Sequence, residues 1–248
     1  MKKEYRQKLV IICLLLSILL VSTSMVWAGT SNYKLGLRLF RKGRYNEAVP
    51  KLVSAISENP DLMYPHYILG LTYYRLGNYN FAETQFKKAH QINPRHYRVL
   101  VNLGRVYLKE DKLEAAIKVG EKALKLNSQD GDAYNILGRA YMSQGRLNKA
   151  INNLKQAAKF DRSNYYVLNN LGYAYIKTGQ YKEAISVLKQ ATELDPPIAY
   201  LYNNLGIAYE NVNNLQKAKV AYQTALDINS NYYKAKVNLK RVKRLLEG

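Results

Sequence analysis

Residues 165–198 read YYVLNNLGYAYIKTGQYKEAISVLKQATELDPPI. Leu171, Gly172 and Tyr175 stand at offsets zero, one and four, which places them on one face of a helix. Gly179 follows Gly172 by seven residues and can take the left-handed backbone that ends a helix and turns the chain. Ala184 and Ala191 come twelve and nineteen residues after Gly172, and such small side chains let a second helix approach the first closely. Asp195 and Pro196 then close the stretch. The pattern predicts two helices joined by a tight turn.

The same pattern recurs along most of the chain. Gly occupies 36, 70, 104, 138, 172 and 206, in steps of 34, and each follows a Leu: 35, 69, 103, 137, 171 and 205. Twelve residues after each Gly comes Ala48, Ala82, Ala116, Ala150, Ala184 or Ala218, and seven further on Ala55, Ala89, Ala123, Ala157, Ala191 or Ala225. The turn position holds Gly43, Gly77, Asp111, Gly145, Gly179 and Asn213, all of which tolerate a left-handed backbone. The repeat end holds Asn59, Asn93, Asn127, Asp161, Asp195 and Asn229, expected at turns and caps for the same reason. One hairpin cannot bury its faces alone, so neighbours must stack. The expected fold is an all-α, right-handed solenoid of six helix–turn–helix repeats: 29–62, 63–96, 97–130, 131–164, 165–198 and 199–232.

This 34-residue period resembles the tetratricopeptide repeat family, from Gly29 to Tyr232. The family's aromatic three places after the Gly is present as Tyr73, Tyr107, Tyr141, Tyr175 and Tyr209, with Leu39 in repeat one. Its proline near the repeat end is present as Pro60, Pro94 and Pro196, and is replaced by Ser128, Arg162 and Ser230. A recurring aromatic position also explains why the chain carries 23 Tyr against four Phe and one Trp.

Residues 233–248 are expected to form a capping helix with Ala235, Leu239, Val242 and Leu246 on one stripe and Lys234, Lys236, Lys240, Arg241, Lys243 and Arg244 around the rest. Pro50 falls early in the second helix of repeat one, where a kink is expected. Gly120 stands where other repeats carry Phe86, Leu154 or Tyr222, which predicts a packing gap or a docking place.

The first 28 residues have a different character. MKKEYRQK is basic, LVIICLLLSILLV is apolar, and STSMVWA ends in small residues, the order of a secretory signal with cleavage between Ala28 and Gly29. Removing them takes away four Lys/Arg and one Glu, so a net charge of +20 becomes +17. The competing reading is a retained anchor, because Leu9 to Trp27 is long enough to span a bilayer. Both place the repeats in an exported, periplasmic or extracytoplasmic setting, or on the inner membrane. A lipoprotein site is not expected, since Val10-Ile11-Ile12 before Cys13 lacks the small residue needed.

No catalytic motif is present, and the chain is not expected to be an enzyme or to hold a cofactor or metal. Cys13 is the single Cys, so no intrachain disulfide can form. His66 falls on a core seam, and His90 and His96 are six apart, a spacing that does not align them on one helix face.

In the tetratricopeptide family the first helix of each repeat faces a concave groove that holds extended peptides. Carried over by register, that geometry implies a partner-binding wall of Asn102, Asn135, Asn169, Asn170, Asn203, Asn204 and Asn238, with Arg105, Arg139 and Tyr173 just after the Gly, Arg75, Lys109 and Lys177 a turn later, and Arg98, Tyr166 and Tyr200 at the helix start. Asn is disfavoured inside helices. Its amide donates and accepts at once, so a ladder of Asn could grip a peptide backbone. On this reading, replacing Asn169, Asn170, Asn203 and Asn204 with Ala weakens partner binding and leaves helicity intact.

Three functions follow in order of preference. The first is an envelope adaptor or assembly factor that binds extended or acidic segments of other proteins. The second is an electrostatic binder of an anionic polymer or membrane surface, which should fail between low and moderate salt; nucleic acid is disfavoured for an exported chain. The third, a regulatory module of an enzyme, leaves no residues for an active site.

Overall fold

The computed structural model describes residues 31–194 and 197–247. Among these there are thirteen helices and no strand. The chain divides into two compact units between Glu110 and Asp111. The first contains α1 (31–41), α2 (Tyr45–Glu58), α3 (Met63–Arg75), α4 (Tyr79–Ile92) and α5 (Tyr97–Lys109). The second contains α6 (Leu113–Leu126), α7 (Gly131–Ser143), α8 (Leu147–Phe160), α9 (Tyr165–Lys177), α10 (Tyr181–Thr192), α11 (Ala199–Asn211), α12 (Leu215–Ile228) and α13 (Tyr233–Glu247). Odd-numbered helices up to α11 are the first helix of a repeat, here helix A; even-numbered ones are helix B. The signal or anchor segment, Asp195 and Pro196 lie outside the described residues.

Each hairpin turns at the position foreseen for it. The backbone is left-handed at Gly43, Gly77, Asp111, Gly145, Gly179 and Asn213, with φ between 56° and 78°. The repeat ends cap helix B and open a turn as expected, each carbonyl accepting from the N–H three residues on, but without a left-handed backbone. Asn59, Asn93, Asn127, Asp161 and Asn229 follow helix B in an extended conformation, φ −133° to −145°. In three of them the side chain adds a bond: the Oδ1 atoms of Asn93, Asn127 and Asn229 accept from the N–H two residues on, at 3.0–3.2 Å. Helix α2 runs unbroken through Pro50.

The small residues set the packing. All twelve repeat alanines of helix B are 0–1% exposed. A Cβ added to Gly172 would lie 2.5 Å from Leu188 Cγ, and one on Gly138 2.5 Å from Leu154 Cγ. Gly36 faces Leu52, Gly70 faces Phe86 and Gly206 faces Tyr222 in the same way. Helix A thus approaches its own helix B to backbone distance, and one large side chain lies across the Gly. Repeat three has Gly104 and Gly120 at these two registers. Gly120 is not a gap, contrary to the expectation from sequence. Leu137 of α7 fills the space, and a Cβ there would meet its Cγ at 3.0 Å.

Within each unit, helix A touches its neighbouring A helices (α3–α5, α7–α9, α9–α11), while successive B helices make no such contact. The A side is therefore the closely spaced wall and the B side the splayed one.

Helix α13 packs on α11 and α12 through Ala235, Leu239 and Val242, all buried. An ion pair holds it in place. Arg241 donates from Nε and Nη2 to both Glu210 carboxylate oxygens, at 2.7 and 2.8 Å, and the buried Tyr222 hydroxyl donates to Glu210 at 2.7 Å. Burial pushes the Glu210 carboxyl up, but the hydrogen bonds from Arg241 and Tyr222 and the Arg241 charge outweigh it, and its pKa lies below the usual Glu value. The clamp's contribution is complete above the unfolded Glu pKa, about 4.3, and is lost as pH falls through the lower folded value. Acid should therefore loosen α13 in the native chain and have less effect in Glu210→Gln, as amide exchange in α13 between neutral and acid pH would report.

Candidate functional site

The asparagines on helix A form a ladder, but with each other. The donor is the Asn two places before the Gly, and the acceptor is the Asn three places before the Gly of the preceding repeat. Asn170 Nδ2 donates to Asn135 Oδ1, Asn204 to Asn169 and Asn238 to Asn203, each at 3.0 Å and each 35 residues apart. In the first unit Asn102 Nδ2 donates to Tyr67 Oη, also 35 residues away, at 3.0 Å, and to the Arg98 carbonyl at 2.8 Å. Asn102, Asn169 and Asn203 are buried, at 7%, 8% and 2% exposure. The expectation that all seven line an open groove is corrected for these three. Stacking brings their amides against the adjacent helix A, where a hydrogen bond to the neighbour is the available way to satisfy them. Asn135, Asn170, Asn204 and Asn238 stay half-buried at the rim of the same seam.

The ladder is thus a set of joints between repeats. Asn203→Ala should cost about 1–2 kcal/mol. The double variant with Asn238→Ala should cost less than the two single losses added, since both remove one bond. Denaturant unfolding of the four proteins checks this, and additive losses would separate the pair. It also adds to the sequence-based expectation that replacing Asn169, Asn170, Asn203 and Asn204 with Ala leaves helicity intact and weakens partner binding: that variant should unfold at lower denaturant as well.

The remaining wall residues are more accessible. In the second unit Tyr166, Tyr173 and Tyr200 are 51%, 36% and 37% exposed. Tyr166 packs on Tyr165 with ring centroids 4.3 Å apart. The Tyr200 hydroxyl is pushed up to about 12 by burial and by neighbouring Tyr166 and Tyr165, with Arg139 pulling the other way. Lys177 Nζ lies 5.5 Å from the Tyr173 ring centroid. Both line a cleft of about 460 Å3 together with Met142, Ser143, Gly145 and Leu147. The unit therefore carries Tyr166 and Tyr200 at the start of its A helices, Arg139 and Tyr173 at one shared register beyond the middle, and Lys177 at the end of α9.

In the first unit Arg105 Nη1 donates to Asn102 Oδ1 at 3.1 Å, and Arg98 Nε to Tyr97 Oη at 3.3 Å. Burial raises the Tyr67 hydroxyl, and Arg98 and Arg105 oppose that, so both cations stand near it. Arg75 and Lys109 are exposed at the C-terminal ends of α3 and α5. Lys109 is eleven residues from Arg98, about 16 Å along the helix. Arg98, Asn102, Arg105 and Lys109 thus follow one face of α5 at spacings of three and four residues, with Arg75 at the end of α3.

Sequence reasoning missed Tyr165, Met142 and Leu147, which belong to other registers. It placed Arg241 only on the polar side of the cap, although Arg241 shares the register of Arg105 and Arg139. His66 is buried with both ring nitrogens engaged, Nδ1 to the Gln85 side chain at 2.7 Å and Nε2 to the Pro60 carbonyl at 3.0 Å. Among the described residues no three acidic, His or Cys side chains gather as a metal site, and no helix is long and apolar enough to cross a membrane.

Comparison with known proteins agrees with this architecture. The TPR repeat model matches residues 36–77, 138–179 and 172–213, and tetratricopeptide repeat models match 61–129 and 199–232. No curated protein matches the chain. Among solved structures, the APC/C hetero-tetramer Cut9–Hcn1 superposes with a TM-score of 0.78 and 18% identity over 91% of this chain, which spans 46% of that one. Pseudomonas aeruginosa pilF gives 0.75 and 16% identity, covering 86% of this chain and 97% of its own. YrrB, described as a TPR protein with an unusual peptide-binding site, gives 0.60 and 23% identity, covering 76% and 97%. With family matches running over 36–129 and 138–232, the chain belongs to the tetratricopeptide repeat family.

Proposed function

We propose that this protein is an exported scaffold of the cell envelope that holds extended or acidic segments of other proteins on the helix-A wall of its second unit, during assembly of an envelope complex. One observation carries the reading. Stacking consumes the buried amides, yet leaves Tyr166, Tyr173 and Tyr200 exposed on that wall with Arg139 and Lys177 beside them. Tyrosine offers a rigid apolar face with a polar tip, and Arg offers two-point contact to a carboxylate. Half-buried Asn135, Asn170, Asn204 and Asn238 supply amides at the rim. The peptide-binding site of YrrB supports a peptide as the occupant by analogy of fold. Export rests on the N-terminal segment, cleaved after Ala28 or retained as an anchor over residues 9–27.

The test is crosslinking in cells with the wild type and with Tyr166→Ala/Tyr173→Ala/Tyr200→Ala/Arg139→Ala. Far-UV circular dichroism should be unchanged and partner capture should fall at least about tenfold. Equal capture by both proteins, or capture abolished by moderate salt alone, would overturn the groove reading. A fusion reporter active only in the cytoplasm would overturn export.

A further inference from the structure

Helix α13 buries one stripe against α11 and α12 and leaves another uncovered. On the uncovered side Val237, Lys240, Arg241, Arg244 and Leu245 line a cleft of about 450 Å3. Val237 and Leu245 are 43% and 55% exposed. They are eight residues apart, about 12 Å along the helix axis. Two apolar anchors two turns apart on another helix have this spacing.

Register explains why the face differs from those of the repeats. Lys240 stands 34 residues after Gly206, in the place where every repeat has Gly. In the repeats that Gly admits helix B to backbone contact; in α13 a lysine stem bars such an approach and puts an ammonium at the rim. A helix docking here would ride further out, over Val237 and Leu245, with charge on its flanks. Arg241 is already held by Glu210, so attraction for a guest rests on Lys240 and Arg244.

Charge selects the occupant. The chain carries +20, and a second copy would offer Lys34, Arg38 and Arg41 on its first helix or the same bases of α13, all repelled. A lipid surface is also disfavoured. The apolar stripe that could insert, Ala235, Leu239 and Val242, is buried in the fold. What remains is Val237 and Leu245 in a concavity between cations, with the exposed Tyr233 one turn before Val237, a narrow strip, whereas interfacial helices bury a whole apolar face. We infer that this face docks a single acidic amphipathic helix of a partner protein, with two apolar anchors on Val237 and Leu245 and carboxylates towards Lys240 and Arg244.

The test uses the full chain and a labelled, helix-stapled peptide of about 14 residues with Leu on one face and Glu on the other, beside a scrambled peptide of the same composition. Anisotropy should show the stapled peptide binding at least about tenfold tighter than the scrambled one. Val237→Ser/Leu245→Ser and Lys240→Glu/Arg244→Glu should each lose that advantage. These positions are exposed, and an unchanged thermal melt confirms that the variants fold. Equal binding of the two peptides, or retention by the Val237→Ser/Leu245→Ser variant, overturns the inference. So does displacement of the peptide by phosphatidylglycerol vesicles that bind through the same four residues. The Tyr166→Ala/Tyr173→Ala/Tyr200→Ala/Arg139→Ala protein should bind the stapled peptide normally; loss there would move the peptide to the groove and equally overturn this site.

Discussion

Gly172→Val should lower the stability of the protein by about 3 kcal/mol. The added Cβ would fall 2.5 Å from Leu188 Cγ and 2.6 Å from its Cδ2, distances that no rotamer adjustment at the far end of the side chain relieves. Leu188 is fully buried, so it cannot swing into solvent. Either α10 moves away from α9, which strips both of packing, or the pair separates. The gain in helix propensity from losing a glycine, about 0.5 kcal/mol or less for Val, is too small to offset this. Gly179 provides the contrast. It has open space around it and φ of +73°, so Gly179→Ala should cost only the backbone term, about 1 kcal/mol. Urea denaturation followed by circular dichroism distinguishes the two. Coupling supplies the sharper check: combining Gly172→Val with Leu188→Ala should recover part of the loss, because the new methyl groups enter the vacated volume. A Gly172→Val protein as stable as wild type would mean that α9 and α10 do not approach as described.

Tyr222→Ala should be as damaging, at about 4 kcal/mol, through a different mechanism. Tyr222 is fully buried across Gly206, in the cluster that includes Leu239 and Val242 of α13. Truncation opens a cavity between repeat six and the cap and removes a donor from Glu210. Tyr222→Phe keeps the ring and loses only the hydroxyl, so about 1.5 kcal/mol is expected, the scale of one hydrogen bond to a charged group. Because repeats interact chiefly with their neighbours, the damage should concentrate in α11–α13. Native-state amide exchange should show these helices opening first in Tyr222→Ala, with α3 and α4 unaffected. Uniform loss of protection along the chain would contradict that.

The same comparison shows why some of the architecture was readable from sequence. The turn at Asp111 or Asn213 is a property of one residue: its own side chain decides whether a left-handed backbone is tolerable. The Gly and Ala registers are nearly as local, since a side chain that must be small to admit a helix is small in every repeat. Pattern recurrence therefore carries the hairpin. The repeat-end asparagines resemble the turn residues in type, yet they sit in extended backbone and turn the chain through their carbonyls, with Oδ1 adding a bond at Asn93, Asn127 and Asn229, a difference that residue type alone does not encode. Gly120 failed as a gap for a related reason: Leu137, from the next repeat, fills the space that an absent side chain leaves.

What the sequence determined alone is the helical hairpin, its period and its close-packed seam, because each rests on short-range sterics repeated every 34 residues. What the tertiary structure decided is the fate of the polar side chains on helix A. Asn169, Asn203 and Arg241 were expected to face a guest or solvent, and instead they meet Asn204, Asn238 and Glu210, which lie 31 or 35 residues away. A hydrogen bond's partner is set by which helix arrives beside it, and only stacking brings those helices together.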